Sequence, residues 1–291
     1  HLIGAPLQKQ YRIGDILGSQ PEVTSKASFG YTALPPAEGG GATGPGSYGE
    51  FLNFKASRRP VVFVGTNSGV LHAFDGRPNG GDELFAVIPN GSLPRIKELP
   101  KQGYSHLYML DGSPTQADAR IGSSWKTVLL VPGGLGSRSV MALDVTDAAS
   151  GFDAGDFMWE FMDPGLGLAL SKPSVVRLQG GQWVAIFGNG YNSTVSDPTA
   201  QLFIVNLADG SLIKRIDTGA NIATLSSGTV PDGLHNGLST PTPVDVNGDR
   251  ITDYVYAGDL HGNLWKFDLT GSQINGWEVD YKSGQTPIPL F

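Results

Sequence analysis

An internal repeat dominates this chain. A set of four short apolar segments recurs four times along its 291 residues, in the same order each time. One such set is too small to bury its own apolar surface, so repeated units of this kind are stable only when neighbours pack together. The repeat therefore predicts a modular architecture built from similar units.

Each unit begins with a serine followed closely by a proline, and an extended segment comes next. Proline is tolerated at the first residue of a strand, where its missing N–H group breaks no hydrogen bond of the sheet. The starting segments are residues 18–23, 112–115, 170–176 and 238–244. We therefore predict at least four blade units, which begin near residues 18, 111, 170 and 238.

Three further segments complete each unit. The second has the composition of a buried strand and ends in small residues, at 61–65, 128–134, 184–188 and 254–258. The third ends in Asp or Asn, whose side chain can hydrogen-bond the following turn, at 71–75, 140–144, 202–206 and 264–268. The fourth follows a glycine-containing turn, at 84–87, 157–161, 212–216 and 277–279.

Four strands per unit and few helical periods predict an all-β fold, namely a modified, quinoprotein-like β-propeller of four-stranded blades. One glycine is equivalent in all four units, and its copies are Gly65, Gly133, Gly188 and Gly258. Successive copies are 68, 55 and 70 residues apart. Compact propeller repeats have ~40–50 residues, so we expect long inter-strand insertions. A two-sheet sandwich with chance similarity is the alternative, and the ordered repetition of all four segments favours the propeller.

Two insertions can be recognised in the first half of the chain. Residues 35–49 are rich in glycine and proline, which predicts a flexible loop between the first and second strands of the first unit. Residues 94–103 are predicted to hold a short helix.

The length of the chain suits one large core, so we expect a single domain over residues 1–291. Residues 1–4 lack the pattern of a signal peptide, and no apolar run approaches the ~20 residues that span a bilayer. We therefore expect a fragment of a larger exported protein.

Charge and cysteine content exclude several classes of function. The formal net charge is −7, with 27 acidic and 20 basic residues, so the chain offers no basic face for nucleic acid. It has no cysteine, which excludes disulfides, thiolate catalysis and a cysteine zinc site.

The link between the first and second strands of the fourth unit is a nonapeptide with oxygen-bearing side chains at positions one, three, five and nine. Calcium takes six to eight oxygen ligands, and position seven of such a loop can supply a main-chain carbonyl. Magnesium needs stricter geometry, and zinc prefers His or Cys, which the loop lacks. The predicted Ca²⁺ ligands are Asp245, Asn247, Asp249, the Ile251 carbonyl and Asp253.

This loop departs from an EF-hand. Tyr256 stands at position twelve in place of a bidentate Glu, and Gly248 is at position four instead of six. We therefore predict a calcium loop on a β-hairpin. The alternative is that the Asp and Asn side chains only form Asx-turns in a solvated hairpin.

No other motif indicates catalysis. The five histidines, at 1, 72, 106, 235 and 261, do not have the His-Glu-x-x-His spacing, and no Gly-x-Ser-x-Gly nucleophile elbow is present. His72 occupies the position of Trp265 in the fourth unit, which favours a structural role. Asp75, Asp144 and Asp268 are interpreted as turn caps, and no catalytic residue is predicted.

Several of these segments together resemble the propeller domain of the PilY family, the large type IV pilus biogenesis and tip adhesin proteins. The resemblance covers nearly the whole chain. It rests on residues 12–16, 64–75, 108–114, 133–136, 142–146 and 245–268. It implies an exported protein at the pilus tip, associated with the outer membrane, and the family's calcium loop maps onto the five ligands predicted above.

The family resemblance also implies a function. Calcium loading and release would regulate pilus extension and retraction, twitching motility and surface attachment. The implied partners are minor pilins and host or abiotic surfaces, with the domain itself a monomer. The chain has no Arg-Gly-Asp tripeptide, so integrin attachment has no support here.

Two other functions are alternatives to the calcium-dependent adhesin. One is a quinoprotein-type dehydrogenase, because the turns at 144–159 and 268–277 are similar to the Trp-containing blade links of that superfamily. The chain is about half the usual length and lacks the vicinal cysteines and clustered catalytic base. The other alternative is a metal-free scaffold of the outer-membrane assembly type.

Overall fold

The first half of the chain forms two antiparallel sheets. A computed structural model describes residues 2–4, 13–24, 26–196, 198–220 and 235–291. In the first described sheet the order is β1-β5-β4-β3-β2, and in the second it is β6-β7-β8-β9. The strands are β1 (Leu2–Gly4), β2 (Glu22–Val23), β3 (Val61–Gly65), β4 (Leu71–Asp75), β5 (Glu83–Ile88), β6 (Thr115–Ile121), β7 (Ser124–Pro132), β8 (Val140–Asp144) and β9 (Phe157–Phe161).

The second half repeats this arrangement. Within the described residues the third sheet has the order β10-β11-β12-β13, the fourth has the order β14-β15-β16-β17, and β18 pairs with β19. The strands are β10 (Ser174–Arg177), β11 (Trp183–Gly188), β12 (Gln201–Asn206), β13 (Leu212–Asp217), β14 (Thr242–Val244), β15 (Tyr254–Gly258), β16 (Leu264–Asp268), β17 (Glu278–Val279), β18 (Lys282–Ser283) and β19 (Thr286–Pro287). The predicted all-β fold of four-stranded antiparallel units is confirmed in the form of a mostly-β fold, in which β1 adds a fifth strand to the first sheet.

The chain divides into two compact units, His1–Phe161 and Met162–Phe291. The first contains the first and second sheets, together with α1 (Tyr48–Ser57) and α2 (Leu93–Ile96); the second contains the third and fourth sheets. The short helix predicted within residues 94–103 therefore lies slightly earlier, at α2. A single domain over residues 1–291 stays a prediction.

Each of the two compact units has an apolar core to which both of its sheets contribute. The core of the first compact unit includes Phe63, Leu71, Phe85, Leu129, Val131 and Met141. The core of the second includes Val176, Ile186, Ile204, Val255, Trp265 and Phe267. Alternate residues of β4 and β16 enter these cores, as the period of two along a strand requires. Each sheet is therefore stabilised mainly by burial against its partner sheet.

The Asp or Asn that ends each third strand caps the turn after it. The Asp144 and Asp268 carboxylates accept hydrogen bonds from the main-chain N–H groups of Thr146 and Thr270, at 3.0 and 2.8 Å. Asp75 and Asn206 accept equivalent bonds from the N–H groups two residues later in the chain. The interpretation of these residues as turn caps is confirmed.

The repeated serine and glycine have a shared role where one sheet meets the next. The Ser19 hydroxyl accepts a hydrogen bond from Gly65 N at 2.9 Å, and Ser171 accepts one from Gly188 N at 3.0 Å. A Cβ atom on Gly65 or Gly188 would collide with the Leu110 or Leu238 carbonyl oxygen respectively. Glycine is needed there because the incoming segment of the following sheet runs directly against the strand end.

The segment predicted as a flexible loop, residues 35–49, does connect β2 to β3, but it contains short helical structure, and its flexibility stays a prediction. A 3₁₀ turn forms at Pro36–Glu38, and α1 begins at Tyr48, with the Ser47 hydroxyl accepting a hydrogen bond from Glu50 N at 3.1 Å. Gly40 and Gly49 lie directly against main-chain carbonyls, where any side chain would collide. These two glycines therefore permit close backbone packing, a role that composition alone does not distinguish from flexibility, whereas Gly44 and Gly46 have open space around them.

Helix α1 is attached to the hairpin of β6 and β7 through a buried ion pair. Lys55 Nζ lies 2.5 Å from Asp118 Oδ2, and both side chains are 0% exposed. The Tyr48 and Thr127 hydroxyls also donate to this carboxylate, at 2.7 and 2.9 Å, and Lys55 donates to the Ala27 carbonyl at 2.8 Å. Burial lowers the pKa of Lys55, and the neighbouring Asp118 opposes that shift. The insertion is therefore fixed to the second sheet by a hydrogen-bonded charge pair.

We predict that Asp118→Ala lowers the free energy of unfolding by about 3–5 kcal/mol, because Lys55 would then be buried without its counter-charge. Denaturant titration of the wild type and the variant measures the difference. Lys126→Met is the control, since Lys126 pairs with Asp144 at 2.7 Å but has a 36% exposed side chain. Its loss should cost no more than about 1 kcal/mol. Equal costs for the two variants would contradict a special contribution from the buried pair.

Candidate functional site

The predicted calcium loop is the connection between β14 and β15. Asp245 follows the last residue of β14, and Asp253 precedes the first residue of β15. Two residues of the loop have left-handed backbone conformations, Gly248 with φ 80° and Arg250 with φ 69°. These two positions turn the chain back on itself, so the link between strands one and two is a tight coil, located where the sequence predicts it.

The first predicted ligand organises the first half of the loop. The Asp245 carboxylate accepts hydrogen bonds from Gly248 N at 2.7 Å and from Arg250 N at 2.9 Å, one on each oxygen. An ionised carboxylate stabilises main-chain N–H donors strongly, because charge-assisted hydrogen bonds are shorter and stronger than neutral ones. Asp245 is therefore oriented towards the interior of the coil.

The next two predicted ligands are bonded in series. Asn247 Oδ1 accepts from Asp249 N at 2.9 Å, and Asp249 Oδ1 accepts from Ile251 N at 2.8 Å. Asn247 Nδ2 also donates to Asp249 Oδ2 at 3.1 Å. The side chains of positions one, three and five are therefore all turned to the same short stretch of main chain, as the alternate spacing predicts.

The last predicted ligand joins the two ends of the loop. The Asp253 carboxylate accepts from Val246 N at 2.8 Å, while Asp253 N donates to the Val244 carbonyl at 2.9 Å. The residue is 5% exposed. Asp253 therefore closes the coil at its base, where β14 and β15 begin to pair.

The donor types of this loop suit a hard divalent cation, although their positions in the structure do not form a coordination sphere. Four oxygen-bearing side chains are held within one coil, and the Ile251 carbonyl accepts no hydrogen bond from any residue that the structure describes. Each carboxylate oxygen has lone pairs beyond the one that accepts an N–H group. Oxygen donors without His or Cys match calcium and not zinc. In the described part of the chain no three His, Cys, Asp or Glu side chains converge on one point, and the oxygens face loop N–H groups instead.

The hydrogen bonds of the loop also satisfy the alternative reading, in which Asp and Asn only make Asx-turns. The observed hydrogen bonds are compatible with both interpretations, because a side chain that bonds its own loop is also oriented towards the interior of the loop. All five predicted residues therefore come together in one connection, and their use as metal ligands stays a prediction.

Other polar clusters of the chain have structural partners. His72 is buried, and its Nδ1 lies 2.5 Å from Glu83 Oε1, in agreement with the structural role predicted for it. His106 Nε2 lies 2.7 Å from Asp15 Oδ2, which also accepts from Asn67 Nδ2 at 2.9 Å. The Asn67 and His106 contacts lower the pKa of Asp15. Sequence reasoning missed this link.

A second feature that sequence reasoning missed is the carboxylate of Asp259. Among the described groups it accepts hydrogen bonds from Trp265 Nε1 at 2.8 Å, Asn236 Nδ2 at 2.9 Å, and the main chain of the β15–β16 turn. The spacing Asp-x-x-x-Asn-x-Trp from 259 to 265 could have indicated it, because Asn263 also bonds this carboxylate. Its lone pairs are taken by structural donors, so Asp259 organises the turn.

These features define a class of protein: a mostly-β repeat protein with an acidic oxygen-rich loop on one hairpin and, in the described residues, no helix suited to cross a membrane. A family model described as the PilY1 beta-propeller domain matches residues 13–288. The chain therefore belongs to the PilY1 family, whose members are non-enzymatic type IV pilus biogenesis factors. This match confirms the family resemblance and the propeller fold. It also agrees with the prediction that the chain is not an enzyme.

Individual relatives agree with the family match. The chain is 42% identical, over 99% of its length, to a type IV pilus biogenesis factor PilY1 homolog of Xylella fastidiosa. It is 37% identical, over 90% of its length, to the type IV pilus biogenesis factor PilY1 of Pseudomonas aeruginosa strain PAO1. These alignments cover 19% and 21% of the two relatives, so the chain spans about a fifth of their length.

A solved structure supports the fold. The crystal structure of the Pseudomonas aeruginosa PilY1 C-terminal domain matches with a TM-score of 0.69 and 33% identity, covering 91% of this chain and 51% of that one. The similarity extends across both compact units of the chain. The architecture derived from the repeat is therefore shared with a member of the family.

We predict different effects of substitutions at the two left-handed positions of the loop. Gly248→Ala should lower the free energy of unfolding by about 1 kcal/mol, because a Cβ atom is disfavoured at φ 80°. Arg250→Gly should leave it unchanged or raise it by up to about 1 kcal/mol, because glycine relieves the strain at φ 69°. Denaturant titration measures both. A destabilising Arg250→Gly would mean that the coil does not have the backbone conformation described.

Proposed function

We propose that this chain is the calcium-binding module of a pilus-tip adhesin and type IV pilus biogenesis factor. In this proposal calcium loading and release regulate pilus extension and retraction, twitching motility and attachment to host or abiotic surfaces. Membership of the PilY1 family supports the pilus role. The partners would be minor pilins, and the site of action the cell surface at the pilus tip.

The observation that carries the calcium proposal is the arrangement of residues 245–253. Asp245, Asp249 and Asp253 lie in one coil of nine residues, and main-chain N–H groups orient each of them. If these carboxylates turned towards one another they would repel, by about 4 kcal/mol for two unit charges ~4 Å apart at an effective dielectric constant of 20. A divalent cation would remove that repulsion and use lone pairs that the N–H groups leave available.

Calcium would be held by Asp245, Asn247, Asp249, Asp253 and the Ile251 carbonyl. Its contribution would be structural, since the ion would bridge the exposed turn and the base of the hairpin. A metal-free scaffold is the remaining candidate from the sequence. Such a scaffold would have the same sheets and the same Asx-turns, so only a measurement of calcium binding distinguishes the two functions.

We expect one calcium site in the wild-type chain and none in Asp249→Ala, measured by isothermal titration after chelator treatment. Asp209→Ala is a matched control. Asp209 is also exposed, and its carboxylate accepts from Ser211 N, two residues later, just as Asp249 accepts from Ile251 N. Asp209→Ala should therefore bind like the wild type. No binding by the wild type would leave a metal-free propeller as the better description.

For the regulatory role, we expect that Asp249→Ala in the full-length parent protein changes the number of surface pili or the twitching distance. Asp209→Ala should behave like the wild type, because it removes the same charge from a turn outside the nonapeptide. Electron microscopy and a stab-agar motility assay measure the two phenotypes. Normal piliation and motility in a strain whose protein no longer binds calcium would refute regulation by this loop.

A further inference from the structure

The two halves of the nonapeptide differ in their surroundings. Residues 246–250 are exposed to solvent, whereas Thr252 and Asp253 are 7% and 5% exposed. Two of the proposed ligands, Asn247 and Asp249, belong to this exposed part, and Asp253 belongs to the buried base. The loop therefore connects the solvent-exposed surface to the interior of the second compact unit.

The buried base is bonded to two different sheets. Thr252 N donates to the Arg177 carbonyl at 2.8 Å, and Arg177 is the last residue of β10 in the third sheet. The next carbonyl, that of Asp253, accepts from Leu269 N at 2.9 Å, just after β16 of the fourth sheet. Two consecutive residues of the loop therefore join the two sheets of this unit.

Two hydrogen bonds connect the outer half of the loop to this base. Asp249 Oδ1 accepts from Ile251 N, directly before Thr252, and the Asp253 carboxylate accepts from Val246 N. If the outer half changes its conformation, both bonds must change with it. Any ligand that orders the outer half therefore also restrains the Thr252 N–H group.

The partner strand β10 is well placed to respond. In the described sheet it lies at the edge and pairs only with β11. Its Val176 side chain is packed in the apolar core shared with Val255 and Phe267 of the fourth sheet. Edge strands have fewer hydrogen bonds than central ones, so they contribute to the low-energy local openings of a sheet. The Thr252–Arg177 bond is one of the contacts that such an opening must break.

We propose that calcium acts beyond its own loop by stabilising the junction between the third and fourth sheets, through the bond from Thr252 N to the Arg177 carbonyl. This inference rests on the proposed calcium binding and specifies what that binding regulates. Calcium-loaded and calcium-free protein then differ in how readily β10 separates from the fourth sheet. By linkage, a ligand that binds only the closed junction lowers the frequency of its opening.

Amide hydrogen exchange tests the proposal directly, because the Thr252 N–H is itself the donor of the bond. At a free calcium concentration about 100 times the dissociation constant, opening of the junction should become up to about 100-fold rarer. We expect at least about tenfold slower exchange at Thr252 and in β10. Exchange in β7 and β8, in the other compact unit, should not change. Asp249→Ala should abolish the calcium effect, and Asp209→Ala should retain it.

A second variant covers the case in which the wild-type junction opens too rarely to be observed. Val176→Ala removes two methyl groups from the shared core, which makes local opening more frequent without altering a ligand. Calcium must then slow exchange at Thr252 of this variant by at least about tenfold. Val131→Ala is the matched control. It makes the same truncation in the core of the first compact unit and should not alter exchange at Thr252.

The outcomes separate this inference from the function on which it rests. If titration shows no calcium binding, the proposed function fails. If calcium binds and slows exchange within the loop, with or without Thr252, but not in β10, in the wild type and in Val176→Ala, the calcium loop stands and the coupling to β10 is overturned. Slower exchange at both Thr252 and β10 supports the coupling.

Discussion

Close contact between the second strand of one sheet and the first segment of the next is the constraint on which each compact unit depends. Gly65 and Gly188 end their strands directly against a main-chain carbonyl of the following segment, and a serine hydroxyl accepts the N–H group of each glycine. A side chain larger than hydrogen would separate the sheets there, and the apolar cores between them would lose contact. In two of the four repeats the serine and glycine therefore have the same role, because the same junction is built once in each compact unit.

Because this junction fixes the end of the second strand, additional structure is found instead in the link between the first and second strands of a sheet. In the first sheet the link from β2 to β3 contains α1, and in the fourth the link from β14 to β15 contains the acidic nonapeptide. The equivalent links after β6 and β10 are short turns. Both longer links reach a neighbouring sheet, through Lys55 to Asp118 in one case and through Thr252 to Arg177 in the other. An insertion at this position thus becomes a contact between sheets.

The strands were predictable from sequence because their apolar periodicity, their Asx caps and their glycines repeat, and β3, β4, β8, β9, β15 and β16 have the bounds that the repeat predicts. Helix α1 was not, because its buried face runs through Tyr48, Phe51 and Lys55, and a buried lysine interrupts the apolar pattern. The five loop residues were predictable from spacing alone. The bond from Thr252 to Arg177 was not, because it joins main-chain groups 75 positions apart (252 against 177) that no side-chain pattern marks.

The two insertions balance their charges in different ways. The attachment of α1 is complete within the chain, since Asp118 faces Lys55 and is bonded by two hydroxyl groups. The nonapeptide instead has three carboxylates against the single guanidinium of Arg250. N–H groups orient those carboxylates but cannot neutralise them, so their repulsion weakens as positive charge arrives from solution. One insertion is therefore fixed to its neighbouring sheet by charges within the chain, whereas in our proposal the attachment of the other varies with the supply of cations.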